Sequence, residues 1–353
     1  MTSIAIDFQK LLLAWFAQHG RHDLPWQQDI SPYRIWVSEI MLQQTRVSTV
    51  IPYFNQFMEH FPDIKSLASA DQDEILHLWT GLGYYARARN LHRTARLINK
   101  QHGGIFPEDI NMLMDLPGIG RSTAGAILSL AYNQRHPILD GNVKRVLARY
   151  HRIEGWPGTS GTVRQLWQLA EEYTPYKQVA RYTQAIMDLG ATVCLQQNPL
   201  CDQCPVHVGC QAKLHSCQAA YPQKKPVKKL PVRKTVFAIL ENHQGEILLE
   251  HRPPAGIWGG LWSFPECSPE DDVEQWIERD LGCMVNSLEY QSGLRHTFSH
   301  FHLDIVPVHA KIMLNKNYEI NDASRFCWYK PSKKQHLGLA TPVKNLLIKI
   351  NQR

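Results

Sequence analysis

Two carboxylates, distant in the sequence, have surroundings that shift their acidity in opposite directions. Glu39 lies in the apolar stretch YRIWVSEIMLQQT, where a helix places Ile35 and Trp36 next to it. Because burial disfavours the ionised form, we expect a raised pKa, as a general acid requires. Asp140 precedes a helix predicted to begin near Asn142, where backbone N–H groups and the helix dipole favour the anion. Such a pair is expected for acid-assisted cleavage of a glycosidic bond.

Each carboxylate also has a simpler interpretation. Glu39 can be a glutamate that reaches solvent or an arginine, and Asp140 can be an ordinary helix cap. The catalytic hypothesis therefore depends on what the sequence places beside them.

The segment LPGIGRSTAGAI, residues 116–127, predicts a tight turn followed by a helix of small residues. Gly118 and Gly120 allow the backbone to approach a phosphate, and N–H groups at the start of the helix point toward the anion. Turns of this kind also join helices that bind nothing. The segment is typical of the hairpin in a helix-hairpin-helix motif.

A basic helix is predicted upstream of this hairpin. Cations share one of its faces and apolar residues another; they are Arg89, Arg93, Arg96 and Lys100 against Leu91, Ala95 and Ile98. A solvated face is the usual explanation for such a stripe. Residues 84–100 contain no carboxylate, however, which favours a contact with nucleic acid.

Four of the eight cysteines form a C-x6-C-x2-C-x5-C pattern, at Cys194, Cys201, Cys204 and Cys210. In a cytosolic protein such a cluster indicates metal binding and not disulfides. Zinc is one candidate, although structural zinc sites more often use two separate C-x2-C pairs. A compact loop with four thiolates also suits a 4Fe–4S cluster, which this spacing favours.

The chain of 353 residues is long enough for two domains, and the pattern of apolar residues changes along its length. Residues 1–220 show helical periodicity, whereas residues 235–353 contain short β-branched runs such as TVFAILE and one helical segment. We therefore predict a multidomain protein, with an all-α domain over 1–220 and an α+β domain over 235–353. Residues 221–234 carry six cations, no acid and three prolines, which predicts a basic linker.

The first apolar run, LLLAWFA, predicts an amphipathic helix with Asp7 as its N-cap and Gly20 as its end. It lacks the features of a signal peptide, and no run approaches the roughly 18 apolar residues of a membrane span. We expect a cytosolic protein.

Together these motifs resemble the helix-hairpin-helix DNA glycosylases of the endonuclease III superfamily, and most closely the branch that removes adenine. The resemblance covers nearly the whole chain, through LPWQ, WVSEIMLQQTRV, GLGYYARARNLH, LPGIGRSTAGAI, LDGNVKRVL, MDLGATVC, the four cysteines, GGLWSFPE and RHTFSHFHLDI. It implies hydrolysis of adenine from A:8-oxoguanine or A:G mispairs in double-stranded DNA. It also implies a 4Fe–4S cluster on the four cysteines, and a monomeric bacterial enzyme that joins the nucleoid through DNA.

The resemblance assigns roles to individual residues. Glu39 protonates adenine, Asp140 stabilises the cationic sugar, Asn142 positions the water or sugar, and Ser122 lines the site. Several further residues are expected to contact the substrate: Trp26 and Gln184 at the flipped adenine, Leu42, Gln44 and Tyr84 in the duplex, Gly118 and Gly120 at a phosphate, and Phe298, Ser299 and His300 at the opposite base.

Ser122 determines the expected product. In the bifunctional members of the superfamily a lysine stands at this position and attacks the sugar, which leads through a Schiff base to strand cleavage. Serine cannot form that adduct. We therefore expect water to release the base and leave an abasic site in an intact strand.

The sequence differs from the patterns of the related families in two places, and each difference excludes an expected function or contact. The C-terminal domain resembles the Nudix fold, but QWIERDLG at 275–282 replaces the arginine and two glutamates of the magnesium-binding box, so Nudix hydrolysis is not expected. The loop between the first two cluster cysteines, LQQNPL, contains no Lys or Arg. We expect DNA contacts from the basic helix, the hairpin and the linker instead.

Two other functions remain open from the sequence. One is a bifunctional lyase acting on oxidised pyrimidines, which would need Lys144 or another amine as nucleophile. The other is a non-catalytic, zinc-bound DNA-binding protein with a Nudix-like reader.

Overall fold

The chain divides into two packed units, and one of them is assembled from two separate segments. The computed structural model describes residues 2–226, 229–314, 325–330, 333 and 335–352. The first unit comprises Met1–Ser69 and Asn90–Val227, and the second comprises Ala70–Arg89 and Lys228–Arg353. The last boundary between the two units lies within residues 221–234, the predicted linker. Residues 70–89, which the sequence analysis assigns to the all-α domain, lie in the second unit.

The first unit is helical, and no strand is assigned among its described residues. The helices up to residue 214 are α1 Ser3–His19, α2 Pro32–Leu42, α3 Val47–His60, α4 Ile64–Ser69, α5 Gln72–Leu78, α6 Ala86–His102, α7 Ile110–Met114, α8 Arg121–Tyr132, α9 Gly141–Tyr150, α10 Ser160–Tyr173, α11 Val179–Asp188 and α12 Gln211–Leu214. Of these, α5 and the start of α6 belong to the second unit. None of the described helices is long and apolar enough to cross a membrane.

Capping explains where the first helices begin. The Ser31 side chain accepts from Arg34 N at the start of α2, with Pro32 in the first turn, where its missing N–H costs nothing. The prediction that Asp7 caps α1 was wrong, because Thr2 accepts from Ala5 N one turn earlier. Gly20 ends α1 as predicted.

Aromatic packing joins α1 to the helices around it. The ring of Phe8 meets Tyr150 of α9 and Tyr173 of α10 edge-on, with centroids 5.0 and 4.9 Å apart. Leu12 and Leu147 are fully buried in the same core. This packing holds the C-terminal end of α9, whose N-cap is Asp140.

The second unit is built on a mixed sheet. Its strands are β1 Val232–Glu241, β2 Ile247–His251, β3 Trp262–Ser263, β4 Glu266–Cys267, β5 Cys283–Tyr290, β6 Leu294–Thr297, β7 His302–Leu314 and β8 Phe326–Tyr329. The main order is β3-β2-β1-β7-β5, with β1 and β7 parallel at its centre. Helix α13, Val273–Leu281, packs Ile277 onto the sheet, and α14 spans Thr341–Asn351.

Hydrogen bonds attach residues 70–89 to the second unit. Trp262 Nε1 donates to Asp73 at 3.0 Å, and the Tyr85 hydroxyl donates to the carbonyl of Leu339 at 3.1 Å. Arg89 Nη1 donates to the carbonyl of Gly259 at 2.5 Å. These partners are far away in sequence, so local periodicity gave no sign of them.

Both ends of the predicted linker are built into the two units. Val227 and Lys228 lie outside the described residues. Tyr221 is buried and its carbonyl accepts from Arg149 Nε at 2.9 Å, while the last three linker positions already belong to β1. The segment between these two ends, residues 222–231, is therefore shorter than the predicted linker of residues 221–234.

Candidate active site

A cavity of about 800 Å³ in the first unit gathers eight of the predicted site residues, including all four predicted catalytic ones. The predicted residues that line it are Trp26, Glu39, Leu42, Gln44, Ser122, Asp140, Asn142 and Gln184. Trp26 lies in a short 3-10 helix, Pro25–Gln27, and Gln44 follows α2, while the other six come from α2, α8, the start of α9 and α11. Trp26 and Gln184 are 158 positions apart in the sequence. The fold thus brings together the four proposed catalytic residues and the two expected at the base.

Glu39 has the acidity expected of a general acid. It lies in α2 and lines the cavity, while the adjacent residues Ser38 and Ile40 are buried. Burial, and secondly the nearby charge of Asp140, raise its pKa from 4.5 to about 8. No described residue donates a hydrogen bond to its carboxyl group that would offset this. Glu39 therefore carries a proton at neutral pH.

Asp140 is both a helix cap and part of the cavity. Its Oδ1 accepts from Val143 N at 2.8 Å and its Oδ2 from Asn142 Nδ2 at 3.0 Å. Burial nevertheless raises its pKa, and these hydrogen bonds and Arg145 oppose the rise only in part. The sequence analysis predicted that the pKa of Asp140 shifts in the opposite direction to that of Glu39. This prediction was wrong, because the cavity buries both groups and burial raises both pKa values. The two still differ, since donors to the anion surround Asp140 and not Glu39.

Ser122 supports the segment that carries Asp140. Its Oγ accepts from Leu139 N at 3.0 Å, one residue before the carboxylate. The hydroxyl thus satisfies a backbone donor at the cavity wall. No lysine is found among the described residues that line the cavity.

Arg145 was not singled out from the sequence, yet it holds several parts of the site together. Its guanidinium donates to Asn142 Oδ1 at 2.9 Å, to the carbonyl of Gly190 at 2.6 Å and to that of Cys194 at 2.7 Å. A Cβ on Gly190 would lie 2.5 Å from that of Asn142, so only glycine permits this approach. The sequence did contain one sign of this role: Arg145 is a cation near the N-terminus of a helix, where the helix dipole disfavours positive charge.

The four cysteines are neighbours at the end of the first unit. Burial first, and then the other three thiols, raise the pKa of Cys204 to about 12. Arg149 Nη1 donates to Cys194 Sγ at 3.4 Å and Gln218 Nε2 to Cys201 Sγ at 3.6 Å. Over the described ranges, however, no group of three or more His, Cys, Asp or Glu side chains is arranged to hold a metal ion. The donor set and its N–H partners suit thiolate ligands, whose sulfurs accept such bonds.

The hairpin between α7 and α8 has the geometry that its glycines predict. Gly118 has a φ of 80°, and a Cβ there would lie 3.0 Å from Asn90. A Cβ on Gly120 would meet nothing within 4 Å, so the backbone before α8 is open to a ligand.

The basic stripe on α6 is divided. Arg93, Arg96 and Lys100 are exposed, and the apolar residues predicted on the other face are buried. Arg89 differs, since it is bonded to the carbonyl of Gly259 within the second unit. Three of the four cations remain available to a polyanion.

In the second unit, Phe298, Ser299 and His300 lie in the turn between β6 and β7. Ser299 and His300 are exposed, whereas Phe298 stacks on Phe301 with centroids 4.6 Å apart. Tyr84 is 50% exposed and has a φ of 50°. Neither the turn nor Tyr84 is part of the cavity in the first unit.

Family models match both parts of the chain. Residues 37–172 match the HhH-GPD superfamily of base excision DNA repair proteins, and residues 236–349 match the NUDIX domain. The adenine DNA glycosylase of Buchnera aphidicola subsp. Acyrthosiphon pisum is 39% identical over 340 residues, which cover 96% of each chain. The human adenine DNA glycosylase is 35% identical over 84% of this chain and 65% of its own.

Solved structures resemble the first unit. A thermostable thymine-DNA glycosylase superposes with a TM-score of 0.53 and 26% identity, over 60% of this chain and 97% of its own. Endonuclease III in a non-covalent complex with DNA gives a TM-score of 0.52 at 20% identity, over 61% and 99%. The latter likeness concerns the fold.

Proposed function

The chain belongs to the adenine DNA glycosylase family, and from this premise we propose that its cavity releases adenine mispaired with 8-oxoguanine or guanine in double-stranded DNA. The protein is a DNA glycosylase of base excision repair. The observation that carries the proposal is that Glu39, whose pKa burial raises to about 8, and Asp140 line one cavity.

The reaction begins with adenine flipped into the cavity. Glu39 donates its proton to a ring nitrogen of adenine, and the C1′–N9 bond breaks with its electron pair passing to the base. The Asp140 carboxylate stabilises the positive charge on the sugar. Water adds to C1′ beside Asn142, and its proton passes to a carboxylate of the site.

The absence of a lysine from the described cavity lining supports a monofunctional reaction. A lyase acting through a Schiff base needs an amine at C1′, and the hydroxyl of Ser122 is already bonded to Leu139 N. The product is then an abasic site in an unbroken strand.

We propose that Cys194, Cys201, Cys204 and Cys210 hold a 4Fe–4S cluster. When bound, the cluster supplies four iron–thiolate bonds that close the loop at the end of the first unit. Arg149 and Gln218 donate to two of these sulfurs and orient them. Iron and sulfide content with visible absorbance supports this assignment, and stoichiometric zinc without iron contradicts it.

DNA is held, in this proposal, by the hairpin at Gly118 and Gly120, by the exposed cations of α6 and by the basic linker. Phe298, Ser299 and His300 contact the opposite base, and Tyr84, Leu42 and Gln44 enter the duplex. The protein acts as a monomer.

A single-turnover assay tests the reaction, on duplexes with A opposite 8-oxoguanine, G or T and with or without hot alkali. We expect nicks only after alkali and only for the first two duplexes. Nicks without alkali contradict the role of Ser122, and no nicks contradict glycosylase activity. As a matched control, Ser122→Lys introduces the amine and is expected to yield an adduct that borohydride traps.

A further inference from the structure

A buried carboxylate behind the cavity has no role in the proposed mechanism. Asp188 ends α11 and is 0% exposed. Its Oδ2 accepts from Arg21 N at 2.8 Å, and its Oδ1 accepts from Arg21 Nε at 2.9 Å and Nη2 at 2.5 Å. Arg21 presents only N–H donors to both oxygens, so Asp188 acts as an acceptor at each of them.

The same oxygen, Asp188 Oδ1, also accepts from Gln184 Nε2 at 2.9 Å. A glutamine amide carries two donors on one side and an acceptor on the other. Because Asp188 Oδ1 already accepts from the guanidinium of Arg21, the NH2 group of Gln184 faces Asp188 and Oε1 faces away from it. Turning the amide over would place two acceptors together in a buried site.

The outward atom, Gln184 Oε1, is available to a ligand. Gln184 lines the same cavity as Glu39, and no described residue donates to its Oε1. A purine with a 6-amino group presents a donor that this oxygen can accept, whereas a 6-oxo group presents another acceptor. The fixed amide is therefore complementary to adenine and repels hypoxanthine or guanine at the same atom.

We propose that Asp188 is a positioning residue that selects a 6-aminopurine over a 6-oxopurine by fixing the orientation of the Gln184 amide. The inference rests on the proposed function, because it concerns the base that the cavity accepts. Arg21 completes the arrangement, since it neutralises the charge that holds the amide.

The test compares single-turnover rates of base release from duplexes that carry adenine or hypoxanthine opposite the same partner base. Asp188→Asn offers one donor and one acceptor, so Gln184 can turn its NH2 toward the cavity. We expect the adenine-to-hypoxanthine rate ratio to fall by roughly 10- to 100-fold relative to the unchanged protein. A merely structural role would lower both rates and leave their ratio unchanged.

A second variant keeps the test independent of folding. Gln184→Met removes the amide and retains the Arg21–Asp188 pair, and we expect the ratio to fall there as well. Glu171→Gln makes the same carboxylate-to-amide change at a different arginine pair, with Arg135 at 2.7 Å, and is expected to keep the ratio. If Asp188→Asn retains the original ratio, the inference is wrong, whatever the result for Gln184→Met. Failure of the unchanged protein to release adenine would instead contradict the proposed function.

Discussion

The cavity of the helical unit and helix α13 of the second unit place their carboxylates in different surroundings. The helical unit places Glu39 and Asp140 at a cavity where burial raises both pKa values. In the second unit, Glu278 and Asp280 of α13 lie in the segment that replaces the Nudix box, and both are exposed to solvent. Proton transfer to a base needs a carboxyl group that is neutral near pH 7, and the burial of Glu39 favours that form. We therefore place the proton transfer at the cavity of the first unit.

Glu39→Gln is expected to have the largest effect. Removal of the general acid should lower the rate of adenine release by about 10²- to 10⁴-fold. Mismatch binding should persist, since the amide has the same shape. Rates from single turnover and affinities from titration separate the two, and near-normal turnover would remove Glu39 from the mechanism.

The same variant has a stability effect of known sign. The folded pKa of Glu39 is above its ordinary value, so its proton stabilises the native state at low pH, and this contribution is lost as pH rises through about 8. Glutamine does not ionise. We therefore expect Glu39→Gln to be more stable than the unchanged protein above that pH, as measured by thermal unfolding.

Asp140→Asn isolates charge from capping. Asparagine is also a good N-cap, so the free energy of unfolding should change little, while adenine release falls by about 10²- to 10³-fold. Asp140→Ala removes the cap too and should lower the free energy of unfolding by about 1 kcal/mol. If Asp140→Asn instead releases adenine at the normal rate, Asp140 is only a cap.

Two arginines of α6 test whether an exposed cation of the first unit and a hydrogen-bonded cation of the second unit contribute differently to DNA binding. Arg96 is exposed in the first unit, and Arg96→Gln should reduce the slope of log affinity for DNA against log salt by about 1. Arg89 bonds the carbonyl of Gly259, so Arg89→Gln should instead destabilise the protein by about 1 kcal/mol. Equal salt slopes in both variants would contradict the division of the stripe.

Asp280→Asn is expected to have no measurable effect. Asp280 forms an exposed pair with Arg279, at 2.6 Å, and such pairs contribute little. Adenine release should be unchanged, and the free energy of unfolding should stay within about 0.5 kcal/mol. Hydrolysis of a nucleoside diphosphate derivative that is lost in the variant would show that the second unit keeps a cation site.

Local sequence was sufficient for the residues whose surroundings are local. The apolar neighbours of Glu39 predicted its raised pKa, and the glycines of the hairpin predicted the turn. Contacts between distant segments were not accessible in this way. Asp188 and Arg21 are 167 positions apart, and the burial that raises the pKa of Asp140 comes from the assembled cavity. Residues 70–89 looked helical, but their partners in the second unit decide where they belong.

The pH dependence of kcat/KM for adenine release tests the central claim most directly, because it reports the ionisation of groups in the free protein. Glu39 must be protonated, so the basic limb should fall tenfold per pH unit above about 8 and disappear in Glu39→Gln. Asp140 must be ionised, so the acidic limb should lie above the ordinary aspartate value of 3.8. A profile that stays flat through pH 8, or a basic limb that survives in Glu39→Gln, would contradict Glu39 as the acid.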